Sequence, residues 1–257
     1  MRYSRSKYRK HVILMKSPTI APYLPETKRF TREAFRSLLG RYGHVIVKPV
    51  GGWGGDGVIS VSAGADGRTE ARFGKARKTF ADANGAYAYA HSVLQGRKSI
   101  VQQRISLATV NGKPFDLRVM IQRKRGGTWA VTGKLAKVAG AGYLITNVRR
   151  SGGKVVTFAE AFRQSNIAGA SAAETERRID ALALAAAEHL QHYYPIRVCG
   201  LDVGLDDRGG IWIIEANFTP YLGLFRKLKD RSIYRRIMEY DRGETQTRAG
   251  HRASMKK

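Results

Sequence analysis

The strongest hydrophobic periodicity runs from Glu174 to Tyr193, where Ile179, Leu182, Ala186 and Leu190 fall on one stripe of a helix. Such a stripe needs a surface to cover, and short apolar runs bounded by turn residues supply candidate strands. Val198–Leu205 and Ile211–Asn217, separated by the turn 206–210, predict a hairpin. His44–Lys48, closed by Pro49, and Val58–Ser62 predict another hairpin around the glycine-rich loop 51–57. Asp116–Gln122 and Thr128–Val138 meet at the turn Arg125–Gly127, and Ser99–Ile105 reads as a further strand. Thr31 is placed to cap a helix over Arg32–Leu39 that Gly40 closes, and residues 81–95 carry a helical pattern.

A chain of 257 residues, 43% apolar and 26% charged, is long enough for one large or two modest domains with real cores. Lys plus Arg total 46 against 20 Asp plus Glu, a formal charge of +26, so anionic ligands are favoured before any motif is considered. The excess is concentrated at the ends: residues 1–32 hold nine basic residues against one acid, and residues 226–257 hold eleven against four. Each end is either a solvated face or a docking surface for nucleic acid or another polyanion. From about Thr245 onward no apolar period remains, the pattern of a disordered tail. The single Cys199 excludes an intramolecular disulfide framework and a Cys-rich zinc module, and it fits a reducing cytoplasm. No apolar run approaches the roughly 18 residues of a membrane span, and Val12–Met15 is too short for a signal-peptide core. A cytoplasmic protein with no transmembrane segment is expected.

Gly52, Gly54 and Gly57 satisfy a G-x-G-x-x-G spacing, but the dinucleotide reading requires a helix after the loop, and here a strand follows. The Walker pattern lacks its terminal Gly-Lys-Ser/Thr, and kinases place their lysine after the glycines whereas Lys48 precedes them. What remains is a lysine at a strand end beside a side-chain-poor turn, where backbone N–H groups can approach phosphate oxygens. The competing reading is a surface hairpin with a mobile tip. If the second hairpin closes around Arg208, cross-strand partners have numbers summing to about 417, so Asp202 faces Glu215 and Asn217 shares the face of Glu215. That all-oxygen set suits Mg2+ bridging phosphates; the competing reading is a solvent-facing acidic pair. Arg118 and Lys137, on adjacent predicted strands, either stabilise a transferring phosphoryl group on the same face or are ordinary surface cations. Cys199 has no evident base and reads as a small buried residue, while His189 and His192 read as surface or packing histidines.

In this order and spacing the blocks resemble the ATP-grasp superfamily, and within it the YheC/YheD-type proteins described as endospore coat-associated. The resemblance runs from about Tyr8 to Leu228. It rests on Pro22–Thr27, Val47–Pro49 with the glycine loop, Val101–Leu107, Pro114–Arg118, Thr146–Gly153, and Gly200–Asp202 with Glu215–Pro220. It implies an α+β ATP-grasp fold in which two subdomains with antiparallel sheets clasp the nucleotide, here without the separate preceding domain of many members. The implied divisions are a basic N-terminal arm over residues 1–30, a small lid subdomain with the glycine hairpin over 31–107, a large subdomain with the metal site over 108–240, and a basic tail over 241–257.

By the family pattern, Lys48 contacts the α and β phosphates of ATP, and Gly54, Gly55 and Gly57 cover them. Gln102, Gln103 and Ile105 lie along the adenine, and Asp116 falls where an acid holds the ribose hydroxyls. Arg118 and Asn147 fall near the γ-phosphate and acceptor side, while Asp202, Glu215 and Asn217 match the magnesium ligands. A second phosphate-reaching lysine has its counterpart in Lys7, Lys10 or Lys16. The implied reaction is ATP- and Mg2+-dependent, with Mn2+ as a substitute: a carboxylate takes the γ-phosphoryl group and an amine captures the acyl-phosphate, forming an amide or peptide bond. The implied substrates are small-molecule or peptide carboxylates and amines, with a peptide, amino acid or acidic polymer as acceptor. The basic termini would meet an anionic macromolecule, and a partner protein would replace the missing preceding domain. The competing function is a non-catalytic nucleotide-binding structural protein on a spore coat or another anionic assembly. Nucleic-acid binding is less favoured, because the basic residues are not interleaved with stacking aromatics.

Overall fold

The computed structural model describes residues 6–52, 54–143, 146 and 148–240. The first half of the chain contains α1 (Lys7–Leu14), β1 (Thr27–Arg29), α2 (Arg32–Tyr42), β2 (His44–Pro49), β3 (Ile59–Ala63), β4 (Thr69–Phe73), β5 (Ala76–Phe80), α3 (Ala83–Leu94) and β6 (Ser99–Gln103). The second contains β7 (Thr109–Val110), β8 (Lys113–Gln122), β9 (Ala130–Val138), α4 (Val148–Ser151), β10 (Lys154–Val156), α5 (Phe158–Arg163), α6 (Ala172–Gln191), β11 (Val198–Leu205) and β12 (Ile211–Asn217). Residues 232–240 are also helical. Side-chain caps fix the helix starts: Thr31 accepts from Ala34 N at 3.2 Å, Asp82 from Gly85 N at 2.9 Å, and Thr157 and Glu160 form a reciprocal capping box. The helix expected to close at Gly40 runs on to Tyr42. A Cβ at Gly40 would meet nothing within 4 Å, and Gly43, at φ 69°, supplies the left-handed cap.

The strands form two six-stranded antiparallel sheets. The smaller half has the order β1-β6-β2-β3-β4-β5, and the larger has β10-β9-β8-β11-β12 with β7 paired to β8. One face of the first sheet presents Val45, Val47, Ile59, Val61, Ala71 and Val101 to Phe35, Leu38 and Leu39 of α2 and Ala86, Ala90 and Leu94 of α3. One face of the second packs Leu117, Val119, Ile121, Leu201 and Val203 against α6, whose expected stripe Ile179, Leu182, Ala186 and Leu190 is buried there. The opposite face of each sheet is left to look across a cleft. A smaller cluster, including Met120, Leu135, Phe225 and Ile237, closes one end of the second sheet's open face.

Helix α1 joins the halves. Ser6 caps it, Leu14 enters the larger core, and His189 Nε2 of α6 donates to the Ile13 carbonyl at 2.9 Å. At its other end Lys7 N donates to the Val50 carbonyl at 3.0 Å, beside the glycine loop. Residues 7–29, which belong by charge to the basic arm, are therefore packed structure. The expected tail over 241–257 lies outside the described residues.

Candidate functional site

Strand register brings four charged side chains together on the open face of the larger sheet. Arg118 of β8 is the cross-strand partner of Asp202 on β11, and Asp116 of β8 is the partner of Lys137 on β9. Arg118 Nε and Nη2 donate to the two oxygens of Asp202 at 3.0 and 3.2 Å, and Lys137 Nζ donates to Asp202 Oδ1 at 2.8 Å. Lys137 Nζ also lies 3.0 Å from Asp116 Oδ1, while Asp116 Oδ2 accepts from Thr146 Oγ1 at 2.6 Å. Asp116, Arg118 and Lys137 are each at most 8% exposed, so these charges are solvated mainly by one another. Burial alone would raise the pKa of Asp202, but the charges of Arg118 and Lys137 outweigh it and hold that carboxyl well below the usual range. Asp116, more dominated by burial and repelled by Asp202, is pushed up to about 6.

Glu215 and Asn217 reach this face through a β-bulge. Gly200 pairs with Asn217 and Asp202 with Glu215, the expected register, but Val203 pairs with Ile213, leaving Ile214 as the extra residue of β12. Ile211, Ile213 and Ala216 all face the core. Strict alternation from Ile211 and Ile213 would send Glu215 into that core; the bulge reverses the parity and turns Glu215 and Asn217 toward Asp202. Asn217 Nδ2 donates to Asp202 Oδ2 at 3.3 Å. Close packing supports the same spot, since a Cβ on Gly200 would lie 2.6 Å from Pro220 and 3.4 Å from the Arg118 side chain.

From the smaller sheet, Lys48 and Gln102 point into the cleft, and Lys48 Nζ donates to Gln102 Oε1 at 2.8 Å. Lys48 is 6% exposed; burial lowers its pKa, and the charge of Glu215 opposes that effect. Gln103 faces the other way, its Oε1 accepting from Glu26 N at 3.2 Å, and Ile105 is half-buried in the connection between the halves. In the glycine loop Gly52, Gly54, Gly55 and Gly57 take φ values of 69 to 92°. A Cβ on Gly57 would in addition lie 2.8 Å from both Pro49 and Arg97, so glycine is required there twice over. Asn147 lies outside the described residues.

The family pattern left the second lysine open among three positions, and the fold separates them. Lys7 Nζ donates to the Gly52 carbonyl at 2.8 Å and lies 3.6 Å from Glu215 Oε1, linking the glycine loop to the acidic set. Lys10, one turn later and buried, lies 5.1 Å from the Phe218 ring; burial lowers its pKa while Glu215 opposes the shift. Lys16 instead stacks on Tyr193 at 5.2 Å. The signal for Lys7 was Ser6, a helix cap that sets the next residue at a helix start. His11, held neutral by burial and by Lys48, with its pKa down to about 4, lines the cleft behind Lys48. The space between Lys48, Gln102, Ile213 and Glu215 is a cavity of about 20 Å3, room for about one water. It shares His11 and Leu24 with a cavity of about 480 Å3 bounded by Tyr42, Gln103 and Trp212.

Lys7, Lys10, Lys48, Arg118 and Lys137 outnumber Asp116, Asp202 and Glu215 around the cleft, the balance a polyphosphate requires. Among the described residues no three His, Cys, Asp or Glu side chains group as metal ligands. The oxygen set here is two carboxylates and a carboxamide, Asp202, Glu215 and Asn217, which fits the hard-cation chemistry of Mg2+. His189, bonded to the Ile13 carbonyl, is a packing residue, and Cys199 is fully buried, its thiol pushed up to about 12 by burial. Among the described residues no helix is long and apolar enough to cross a membrane.

The family description "YheC/D like ATP-grasp" matches residues 2–242. Two endospore coat-associated proteins of Bacillus subtilis (strain 168) are similar: YheD, 30% identical over 86% of this chain and 49% of its own length, and YheC, 27% identical over 80% and 57%. The chain thus spans about half the length of the curated relatives it matches. Among solved structures, the ATP-grasp ligase PsnB with its minimal precursor superposes with a TM-score of 0.52 at 15% identity, over 91% of this chain and 60% of that one. Another structure of PsnB also holds Mg and ADP, and superposes with a TM-score of 0.50 at 14% identity, over 93% of this chain and 59% of that one. The family match spans both sheets, and the chain belongs to the YheC/D-like ATP-grasp family.

Proposed function

We propose that this chain is an ATP- and Mg2+-dependent carboxylate–amine ligase. The observation that carries the reading is the meeting of Lys7, Lys48 and the glycine loop from one side with Asp202, Glu215 and Asn217 from the other. In this reading residues 31–107 and 108–240 clasp the nucleotide, with the loop amides of Gly54, Gly55 and Gly57 and the ammonium groups of Lys7 and Lys48 on its phosphates. The segment from Gln102 through Gln103 to Ile105 runs along the base. Asp202, Glu215 and Asn217 hold Mg2+, or Mn2+ in its place, which supplies charge neutralisation at the phosphates. Arg118 and Lys137 stabilise the charge on the transferred phosphoryl group, with Asn147 on the acceptor side. Asp116 was expected at the ribose; enclosed by Lys137 and Thr146, it also orients Lys137.

The reaction this arrangement suits has two steps. A substrate carboxylate oxygen bonds to the γ-phosphorus as the bond to the β–γ bridging oxygen breaks and ADP leaves. An amine nitrogen then bonds to the acyl carbon, and inorganic phosphate and a proton depart. The fold is shared with PsnB, an ATP-grasp ligase captured with its minimal precursor, which supports the ligase reading. The names of YheC and YheD support a second reading, a nucleotide-binding structural protein of a spore coat. The two are separated by following ADP release from a panel of carboxylates and amines with the wild type and with Glu215→Ala. Release that needs both substrates and disappears in the variant supports the ligase. ATP binding without release across the panel supports the structural reading.

A further inference from the structure

The cleft face of the smaller sheet carries a second charged group beside Lys48. β3 places Ser60 and Ser62, β4 places Glu70 and Arg72, and β5 places Arg77 on the face opposite Val61 and Ala71, the face that Lys48 shares. Arg104, where the chain leaves β6, reaches across it: its Nη1 donates to Ser60 Oγ and Ser62 Oγ at 3.3 and 3.2 Å. Among the described residues it forms no ion pair, and its pKa is lowered by burial and then by the charge of Arg72, with Glu70 opposing. Glu70, in contact with Arg72 and 4.0 Å from Arg77, is thus one carboxylate among three guanidinium groups. His44, paired in register with Ser62, has its pKa lowered by burial and by the charge of Arg104, and it adds no negative charge.

A half-buried guanidinium bonded only to hydroxyls is costly unless an anion completes its shell. The planar fork of arginine matches a carboxylate through two parallel hydrogen bonds. Apart from the His44 imidazole, these strand positions carry no aromatic ring on which a base could stack, which favours an acidic peptide over a nucleic acid. We infer that this face of the lid is a carboxylate-binding subsite that selects an acidic peptide as acceptor, with Arg104 taking an inner carboxylate and Arg72 and Arg77 those nearer the edge. The inference rests on the ligase reading for the word acceptor, but the subsite itself does not depend on nucleotide.

The test uses fluorescently labelled hexaglutamate and hexaglutamine, read by anisotropy with the full chain at near-physiological salt, alongside ATP binding. The wild type is expected to bind hexaglutamate and not hexaglutamine. Arg72→Gln with Arg77→Gln should weaken hexaglutamate binding by about tenfold or more, the loss of one or two charge-assisted contacts, and leave ATP affinity within about twofold. Arg177→Gln with Arg178→Gln, an equal charge loss on α6, should leave both ligands unaffected. Arg104→Gln should repeat the first loss, and because Arg77 is exposed on the edge strand and Arg72 is its cross-strand neighbour, their variant keeps the test valid if Arg104→Gln does not fold. Equal loss from the α6 variant, equal binding of both peptides, or tighter binding of an RNA of matched charge would overturn the subsite. Glutamate selectivity that depends on Arg72 and Arg77 in a protein that fails to bind ATP would uphold the subsite while removing the ligase reading.

Discussion

Asp202 gathers three donors, Arg118, Lys137 and Asn217, and its ionised form is therefore favoured by folding. Its contribution to stability is present above the unfolded carboxyl pKa of about 4 and is lost as pH falls below it. Asp116 has the opposite sign. Its folded pKa of about 6 lies above the unfolded value, so folding stability declines as pH rises from about 4 to about 6, and the cost is complete above that. Asp116→Asn should remove this decline: its melting temperature should rise relative to that of the wild type on going from pH 4.5 to pH 7. Parallel melting curves for the two proteins across that interval would contradict the assignment. Lys48 carries a different prediction, because its ammonium is buried against Gln102 with no ion pair among the described residues. Lys48→Ala should weaken ATP binding by about ten- to a hundredfold, the loss of a charge-assisted contact worth about 1.5–3 kcal/mol. Titration calorimetry that returned an unchanged affinity would move the phosphates away from Lys48.

At the scale of elements, the bulge in β12 decides whether there is a site at all. Inserting one alanine between Ile214 and Glu215 shifts the parity of β12 by one residue and should turn the glutamate of that strand into the core. The expected outcome is loss of Mg-dependent nucleotide binding together with a lower melting temperature. An insertion variant that binds nucleotide like the wild type would show that the parity of β12 does not aim these residues. The sequence made the β11–β12 pair legible, down to Asp202 facing Glu215, because a Gly-Gly turn separates two apolar runs. It did not reveal the bulge: a one-residue slip within Ile211–Ile214, all bulky and apolar, leaves no trace in the pattern. The glycine hairpin, α3 and α6 were legible for similar reasons of turn chemistry and period. Helix α1 was not, because its buried face contains Lys10 and Leu14 where periodicity looks for apolar residues. β4 and β5 were missed as well, since β5 is an edge strand of the smaller half with mostly exposed residues and no buried apolar alternation.

For the whole molecule, the two halves are drawn together as they stand. Lys75, in the turn between β4 and β5, lies 5.7 Å from the ring of Tyr143 on the other half, and the cavity beside Lys48 has a volume of only about 20 Å3. If the triphosphate binds beside Lys48, the two halves must part before it can enter. Lys75→Cys with Tyr143→Cys, joined by a short bifunctional maleimide, should lose ATP binding, whereas the same variant left unjoined should bind normally. Full binding by the crosslinked protein would show that entry does not need this opening. The net charge of +26 favours anionic ligands in general but selects none; selection falls to the few cations, among them Arg104 and Lys48, whose burial sets them apart from the solvated surface.

The most direct test of the central claim is calorimetric titration of ATP with and without Mg2+ into the wild type and into an Asp202→Ala, Glu215→Ala double variant. Binding that requires Mg2+ in the wild type and is lost in a folded double variant is the result expected from the register that joins these carboxylates. Equal binding by both proteins, or no dependence on Mg2+, would contradict it and place the nucleotide elsewhere on the molecule.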